Sequence, residues 1–169
     1  MSKGRLIALS AISSAFAVIF AVIGGYFNNL TFTFMTLSSV SISIPLIMNS
    51  IKSAALSYVA ASILIFIIIP SKALLFIVFF GLFPLVNEVL IKTPFILRYI
   101  IKLLYFIAAM TLIYFFTKVF SGLKIVEDIG VIKFLALYYI VGLILLHLYN
   151  FAYNRYVISI LKSKFSRVS

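Results

Sequence analysis

Six long apolar runs, separated by short segments that hold most of the charged residues, constrain this sequence more than any other feature. A helix that crosses the roughly 30 Å hydrocarbon layer of a membrane needs about 20 predominantly apolar residues. Of the 169 residues, 65% are hydrophobic and only 10% are charged. Soluble domains are about half apolar and about a quarter charged. A core built by so short a chain cannot hide this much apolar surface from water. We therefore expect an integral membrane protein.

The runs predict an all-α fold, a bundle of six transmembrane helices that forms one domain over residues 1–169. The predicted spans are 6–23, 34–48, 53–69, 73–91, 99–116 and 134–152. The second span is the weakest of the six, because it is rich in hydroxyl side chains and contains Pro45. We interpret the first run as a retained helix rather than a cleaved signal peptide, since it lacks a clear small-residue cleavage site.

The basic residues support six spans with both termini in the cytoplasm, because cytoplasmic loops carry an excess of Lys and Arg. This topology places the following residues inside: Lys3, Arg5, Lys52, Lys92, Arg98, Lys102, Arg155, Lys162, Lys164 and Arg167. It places Lys72, Lys118, Lys124 and Lys133 outside. If the second segment did not cross, the basic amino terminus and the basic tail would lie on opposite sides. We expect a multi-pass protein of a bacterial plasma membrane.

Charge and composition also exclude several functional classes. The net charge of +11 is spread over single and paired basic residues at the ends of apolar runs, where it meets lipid headgroups. We therefore expect the lipid bilayer as a partner and no nucleic acid. There is no cysteine and only one histidine. No phosphate-binding glycine loop, dinucleotide-binding glycine pattern or zinc-protease motif occurs. The sequence predicts no enzyme, no cofactor and no metal site.

The first helix carries small residues at helical spacing. Ser13, Ala17, Ala21 and Gly25 recur every four residues, and Ala11 and Ala15 form a second such pair. Small side chains let two membrane helices approach closely. These positions either pack within the chain's own bundle or dock a separate membrane protein. The candidate docking residues are Ala11, Ala15, Ala17 and Ala21.

Hydroxyl side chains are concentrated before and inside the second span. Such hydroxyls either bond a backbone carbonyl one turn back or line a polar cavity, where irregular backbone is tolerated at membrane depth. On the second interpretation a discontinuous, proline-broken segment forms a site toward the outer face. The candidate ligand-binding residues are Asn28, Asn29, Thr31, Thr33, Thr36 and Ser38.

Two further polar groupings have simple structural interpretations. Glu88 lies inside a predicted span, with Lys92 one turn on and Arg98 at the start of the next helix. A carboxylate at this depth needs a partner, so we predict a structural ion pair of Glu88, Lys92 and Arg98 rather than a proton relay. His147, Asn150 and Asn154 share one face of the sixth helix, where we predict interhelical hydrogen bonds.

The segment Ala8-Leu-Ser-Ala-Ile-Ser-Ser-Ala15 resembles the AxxxA signature in the first helix of the S components of energy-coupling factor transporters. S components are substrate-binding membrane subunits, and the similarity extends to length, helix count and topology. Gly24-Gly25 resembles the start of their gating loop. The stretches 79–84 and 148–156 are similar to small bacterial membrane proteins related to that fold. The resemblance implies that Ala11 and Ala15 contact a membrane coupling protein, that separate ATPase subunits supply energy, and that a small molecule or vitamin is captured from outside.

Two functional hypotheses follow from the sequence. The first is a substrate-capture subunit of an importer. The alternative is a membrane scaffold without transport function, similar to the small six-helix subunit of the bacterial rod-shape machinery, which needs no ligand cavity. A channel or proton-coupled carrier fits less well, because such transporters show internal repeats and midplane charges.

Overall fold

The structure, a computed structural model, describes residues 3–48, 50–91, 93–121 and 131–153, and these parts of the chain are helical with short turns. Helix α1 covers Lys3–Tyr26, α2 Thr31–Ile47 and α3 Ile51–Ile68. Next come α4 (Pro70–Leu74), a π-helical segment (Leu75–Gly81) and α5 (Phe83–Leu90). Helices α6 and α7 cover Phe95–Ser121 and Val131–Ala152.

Five helical segments of the described chain are long and apolar enough to cross a membrane: 4–26, 28–47, 51–68, 70–90 and 95–116. The sixth predicted span, 134–152, lies within α7. The side chains on α3 show why these helices fit a membrane. Ile63, Phe66 and Ile67 expose 56%, 57% and 70% of their surface. Large apolar side chains in such numbers face lipid or another protein rather than water.

Contacts within the chain divide it into two compact units. Unit 1 comprises Met1–Lys92 together with Tyr153–Ser169, and unit 2 comprises Thr93–Ala152. In unit 1, Tyr153 donates a hydrogen bond of 2.7 Å to the Ser43 hydroxyl of α2. Its ring also packs edge-on against Phe83 at the start of α5, with 5.7 Å between the ring centroids. In unit 2, α6 packs against α7.

Helices α1 and α2 approach closely because small residues line the contact. Ala17 and Ala21 are fully buried. The Ser38 hydroxyl of α2 donates a hydrogen bond of 2.6 Å to the Ala17 carbonyl oxygen. A Cβ atom placed on Gly24 would lie 2.9 Å from Cβ of Phe34, so this end of the contact has no room for a side chain.

Helix α2 corrects the expectation of a proline-broken segment. It runs without interruption from Thr31 to Ile47, and Pro45 lies inside its last turn. The missing N–H of Pro45 removes one backbone hydrogen bond, and it does so close to the carboxyl end of the helix. The hydroxyls of Thr36, Ser41 and Ser43 each bond the carbonyl oxygen four residues earlier, at 2.8, 3.1 and 3.0 Å. The simple interpretation of the hydroxyl-rich segment is therefore confirmed for these three residues.

The fourth span changes its helical geometry before Pro84. A proline inside a helix lacks an N–H group and crowds the carbonyl four residues earlier. Here the helix changes to a π-helical segment that ends at Gly81. Helix α5 then begins with Pro84 in its first turn. The Tyr58 hydroxyl of α3 donates a hydrogen bond of 3.0 Å to the Ile77 carbonyl oxygen inside the π segment. A Cβ on Gly81 would lie 2.9 Å from the Tyr58 ring, which explains the glycine.

Candidate functional site

A polar cluster in the described part of unit 1 surrounds the ammonium group of Lys72. Lys72 Nζ lies 2.7 Å from Asn28 Oδ1, 2.9 Å from the Gly25 carbonyl oxygen and 3.0 Å from Thr31 Oγ1. The Gly24 carbonyl oxygen is 3.5 Å away. Thr31 Oγ1 also donates a hydrogen bond of 2.7 Å to the Gly24 carbonyl oxygen. We call Lys72 and these four oxygens the Lys72 cluster.

Local chain geometry places each member of the cluster. Helix α1 ends at Tyr26, and the 3₁₀ turn Asn28–Leu30 leads directly into α2. The carbonyl oxygens of its last turn lack partners within the helix, as at every helix end. Across from them, α3 ends at Ile68 and α4 begins with Pro70. Lys72 is the third residue of α4. Its side chain therefore reaches from the α3–α4 turn to the α1–α2 turn.

The electrostatics of the cluster favour a positive charge. Its four oxygens are neutral, and two of them are carbonyls at the carboxyl end of α1. The helix dipole places a partial negative charge at that end. A half-buried ammonium group with three donors meets three oxygens at good hydrogen-bonding distance. The simplest consequence is that Lys72 fastens the α3–α4 turn to the α1–α2 turn.

The predicted ligand-binding residues separate into three groups. Asn28 and Thr31 come together at the Lys72 cluster. Asn29 and Thr33 are exposed at the same end of α2. The remaining two serve the helices themselves: Thr36 bonds the carbonyl of its own helix, and the fully buried Ser38 bonds Ala17. Thr36 and Ser38 therefore have structural hydrogen bonds within the helices, and their role as ligand residues stays a prediction. Sequence reasoning assigned Lys72 only a topological role, because nothing local indicated that its side chain reaches the α1–α2 turn.

The predicted docking residues divide between two faces of α1. Ala11 and Ala15 are exposed. Ala17 and Ala21 are fully buried where α1 packs on its neighbours. Here they line contacts within the chain, and their role in docking a partner stays a prediction. A helix turns 100° per residue. That rotation puts the pair Ala11 and Ala15 about 120° around α1 from the buried pair, although both pairs have the same spacing.

A serine network between α1 and α3 was not predicted from the sequence. Ser10 donates to the Ser53 carbonyl oxygen at 3.1 Å, and Ser57 donates to the Ser10 carbonyl oxygen at 3.1 Å. Ser57 also lies 2.8 Å from the Ser53 carbonyl oxygen. All three serines are buried. Ser53 and Ser57 are four residues apart on α3 and so share one face of the helix. That spacing could have indicated this contact from the sequence.

Unit 2 contains a cavity of about 440 Å³ between α6 and α7. Its lining is mostly apolar, with Lys102, His147 and Asn150 as polar members. Lys102 Nζ donates a hydrogen bond of 2.9 Å to Asn150 Oδ1. The predicted interhelical hydrogen bonding is thus confirmed for Asn150. His147 is exposed, and Asn154 lies outside the described residues.

The predicted ion pair of Glu88 with Lys92 and Arg98 stays a prediction. Lys92 lies outside the described residues. Glu88 is half-buried in α5 of unit 1. Arg98 belongs to unit 2, where its guanidinium group donates a hydrogen bond of 2.9 Å to the Thr93 carbonyl oxygen.

Comparison of the chain with protein-family models, curated proteins and solved structures finds no match.

Proposed function

We propose that this chain is a substrate-capture membrane subunit of an importer for a small molecule or vitamin. It would have the S-component type of fold, lie in a bacterial plasma membrane with both termini in the cytoplasm, and depend on separate ATPase subunits. The observation that carries the proposal is the division of small residues on α1. One set is buried within the chain, whereas Ala11 and Ala15 remain exposed.

An exposed pair of alanines between large apolar side chains offers a shallow groove to a partner helix. Ile7, Ile12 and Phe16 are exposed beside the alanines, with 62%, 55% and 47% of their surface free. Close approach of backbones is what makes small residues favourable in helix association within lipid. The amino-terminal half of α1 is the cytoplasmic half in the predicted topology, where a coupling protein attached to ATPases would dock.

The opposite end of α1 supports a second part of the proposal. Asn28 and Thr31 gather with Lys72, and Asn29 and Thr33 are exposed nearby. In the predicted topology this end faces outward. A captured solute would contact these polar groups first. Its binding would then alter the turn that connects α1 with α2.

The test is co-purification of partners with tagged variants in mild detergent. Ala15→Leu fills the groove and should lose the partners while the protein stays folded. Ala108→Leu is the matched control, because Ala108 is an exposed alanine on α6, in unit 2. Ala17→Leu serves as the folding comparison, since it places a large side chain at a fully buried position and should lower stability.

Each outcome is informative. A membrane coupling protein and ATPase subunits that accompany the wild type and Ala108→Leu, but not folded Ala15→Leu, would support the importer. Undiminished co-purification with Ala15→Leu would remove the docking surface. Cell-wall or cytoskeletal partners would instead favour the scaffold.

A further inference from the structure

The Lys72 cluster has the composition of a cation-binding site. Ligands of Na⁺ in membrane transporters include backbone carbonyls at the carboxyl ends of helices and in unwound segments. Here two such carbonyls, from Gly24 and Gly25, combine with a hydroxyl and an amide oxygen. None of the four is a carboxylate, so their combined field suits a single positive charge.

The geometry around Nζ also selects the kind of cation. A primary ammonium group carries three N–H donors. Three oxygens lie 2.7, 2.9 and 3.0 Å from Lys72 Nζ. These are ordinary hydrogen-bond lengths for N–H donors. An anion arriving at the same position would meet oxygens on several sides and the negative end of the α1 dipole.

We propose that the oxygens of the Lys72 cluster form a binding site for a primary ammonium ion, which the wild-type chain fills with the side chain of Lys72. The cation is part of the chain, so occupation of the site fastens α4 to the end of α1. When the side chain is removed, the same oxygens bind a free ammonium ion of the form R–NH₃⁺. This proposal does not depend on the transport function.

The experiment measures thermal unfolding of purified Lys72→Ala by circular dichroism, with ethylammonium, tetramethylammonium or no added cation, at equal ionic strength. Without ethylammonium, the variant should unfold about 2–4 °C below the wild type, the shift typical of one lost interaction in a chain of this size. Ethylammonium should restore that temperature. Tetramethylammonium has the charge without an N–H donor and should not. The wild type should respond to neither ion.

Two further variants sharpen the result. Lys52→Ala is the matched control, because Lys52 is an exposed lysine near the start of α3, and it should be neither destabilised nor rescued. Asn28→Ala added to Lys72→Ala removes one oxygen at an exposed position. It should raise the ethylammonium concentration needed for half rescue by about tenfold, the equivalent of ~1.4 kcal/mol. If Lys72→Ala does not fold, Lys72→Met keeps the aliphatic stem and leaves only the Nζ position vacant, so it is tested with ammonium (NH₄⁺) in place of ethylammonium.

Absence of rescue by ethylammonium in Lys72→Ala, or by ammonium in Lys72→Met where the alanine variant does not fold, would overturn the proposal and leave Lys72 as a simple clasp. Equal rescue by tetramethylammonium would also overturn it, because the effect would then come from charge or salt alone. Neither result concerns the docking of partners on Ala15, so this test and that of the importer fail separately.

Discussion

Replacement of Gly24 by alanine tests how closely α1 and α2 must approach. The added Cβ would lie 2.9 Å from Cβ of Phe34, 3.2 Å from the Thr31 carbonyl oxygen and 3.6 Å from the Met35 backbone nitrogen. None of these atoms is the far end of a flexible side chain, so relief requires α2 to shift away from α1. We therefore expect Gly24→Ala to destabilise the protein.

The magnitude follows from two opposing terms. Forcing an extra carbon into a packed contact costs about 1–3 kcal/mol. Replacing glycine by alanine within a helix returns about 1 kcal/mol. The balance is a net loss of ~1 kcal/mol or somewhat more in the free energy of unfolding. A shift of α2 would also disturb the Lys72 cluster, because Thr31 contributes one of its oxygens.

Gly4→Ala is the matched control on the same helix. A Cβ at Gly4 meets nothing within 4 Å. The same substitution there should be neutral or slightly stabilising, because only the helix-propensity term applies. The assay is unfolding of purified protein in detergent, followed by the helical circular dichroism signal. If Gly24→Ala proves as stable as Gly4→Ala, the close approach of α1 and α2 is not required for stability and our interpretation of Gly24 is wrong.

Two further predictions concern hydroxyl groups. Ser57→Ala removes a bond between α1 and α3 and should lower the free energy of unfolding by ~0.6 kcal/mol, the average for such bonds in membrane proteins. Ser13→Ala is its control, since the Ser13 hydroxyl is buried without a hydrogen-bond partner among the described residues, and the change should be neutral or stabilising. An equal loss in both variants would contradict the role of the serine network. In unit 2, Thr111 Oγ1 and Tyr139 Oη lie 2.7 Å apart. A double-mutant cycle with Thr111→Val and Tyr139→Phe should give a coupling energy of ~0.5 kcal/mol, and additive losses would show that the two hydroxyls do not interact.

Hydropathy predicted the helices well because length and apolar content decide whether a segment can cross a membrane. Five spans were found close to the predicted positions, and α7 corresponds to the sixth. Helix ends were less predictable. Helix α2 begins at Thr31 rather than residue 34, because the turn before it is a single 3₁₀ turn instead of a polar loop.

The candidate site was only partly predictable, for a physical reason. Composition indicated Asn28 and Thr31, but it could not show that the Lys72 side chain reaches them from the α3–α4 turn. Spacing could not assign the small residues of α1 either, because Ala11–Ala15 and Ala17–Ala21 have identical periodicity. The neighbours of a helix decide which of its faces is covered, and sequence periodicity carries no information about those neighbours.

The hydrogen bond between Tyr153 and Ser43 has a consequence for biogenesis. Helices α1, α2 and α3 are consecutive in the chain and pack on one another, so they can associate soon after they leave the ribosome. The Tyr153 hydroxyl reaches its partner across 110 positions of sequence. Unit 1 can therefore be completed only after the whole of unit 2 has been synthesised. During that interval the Ser43 hydroxyl lacks the hydrogen bond that Tyr153 donates to it in the complete chain.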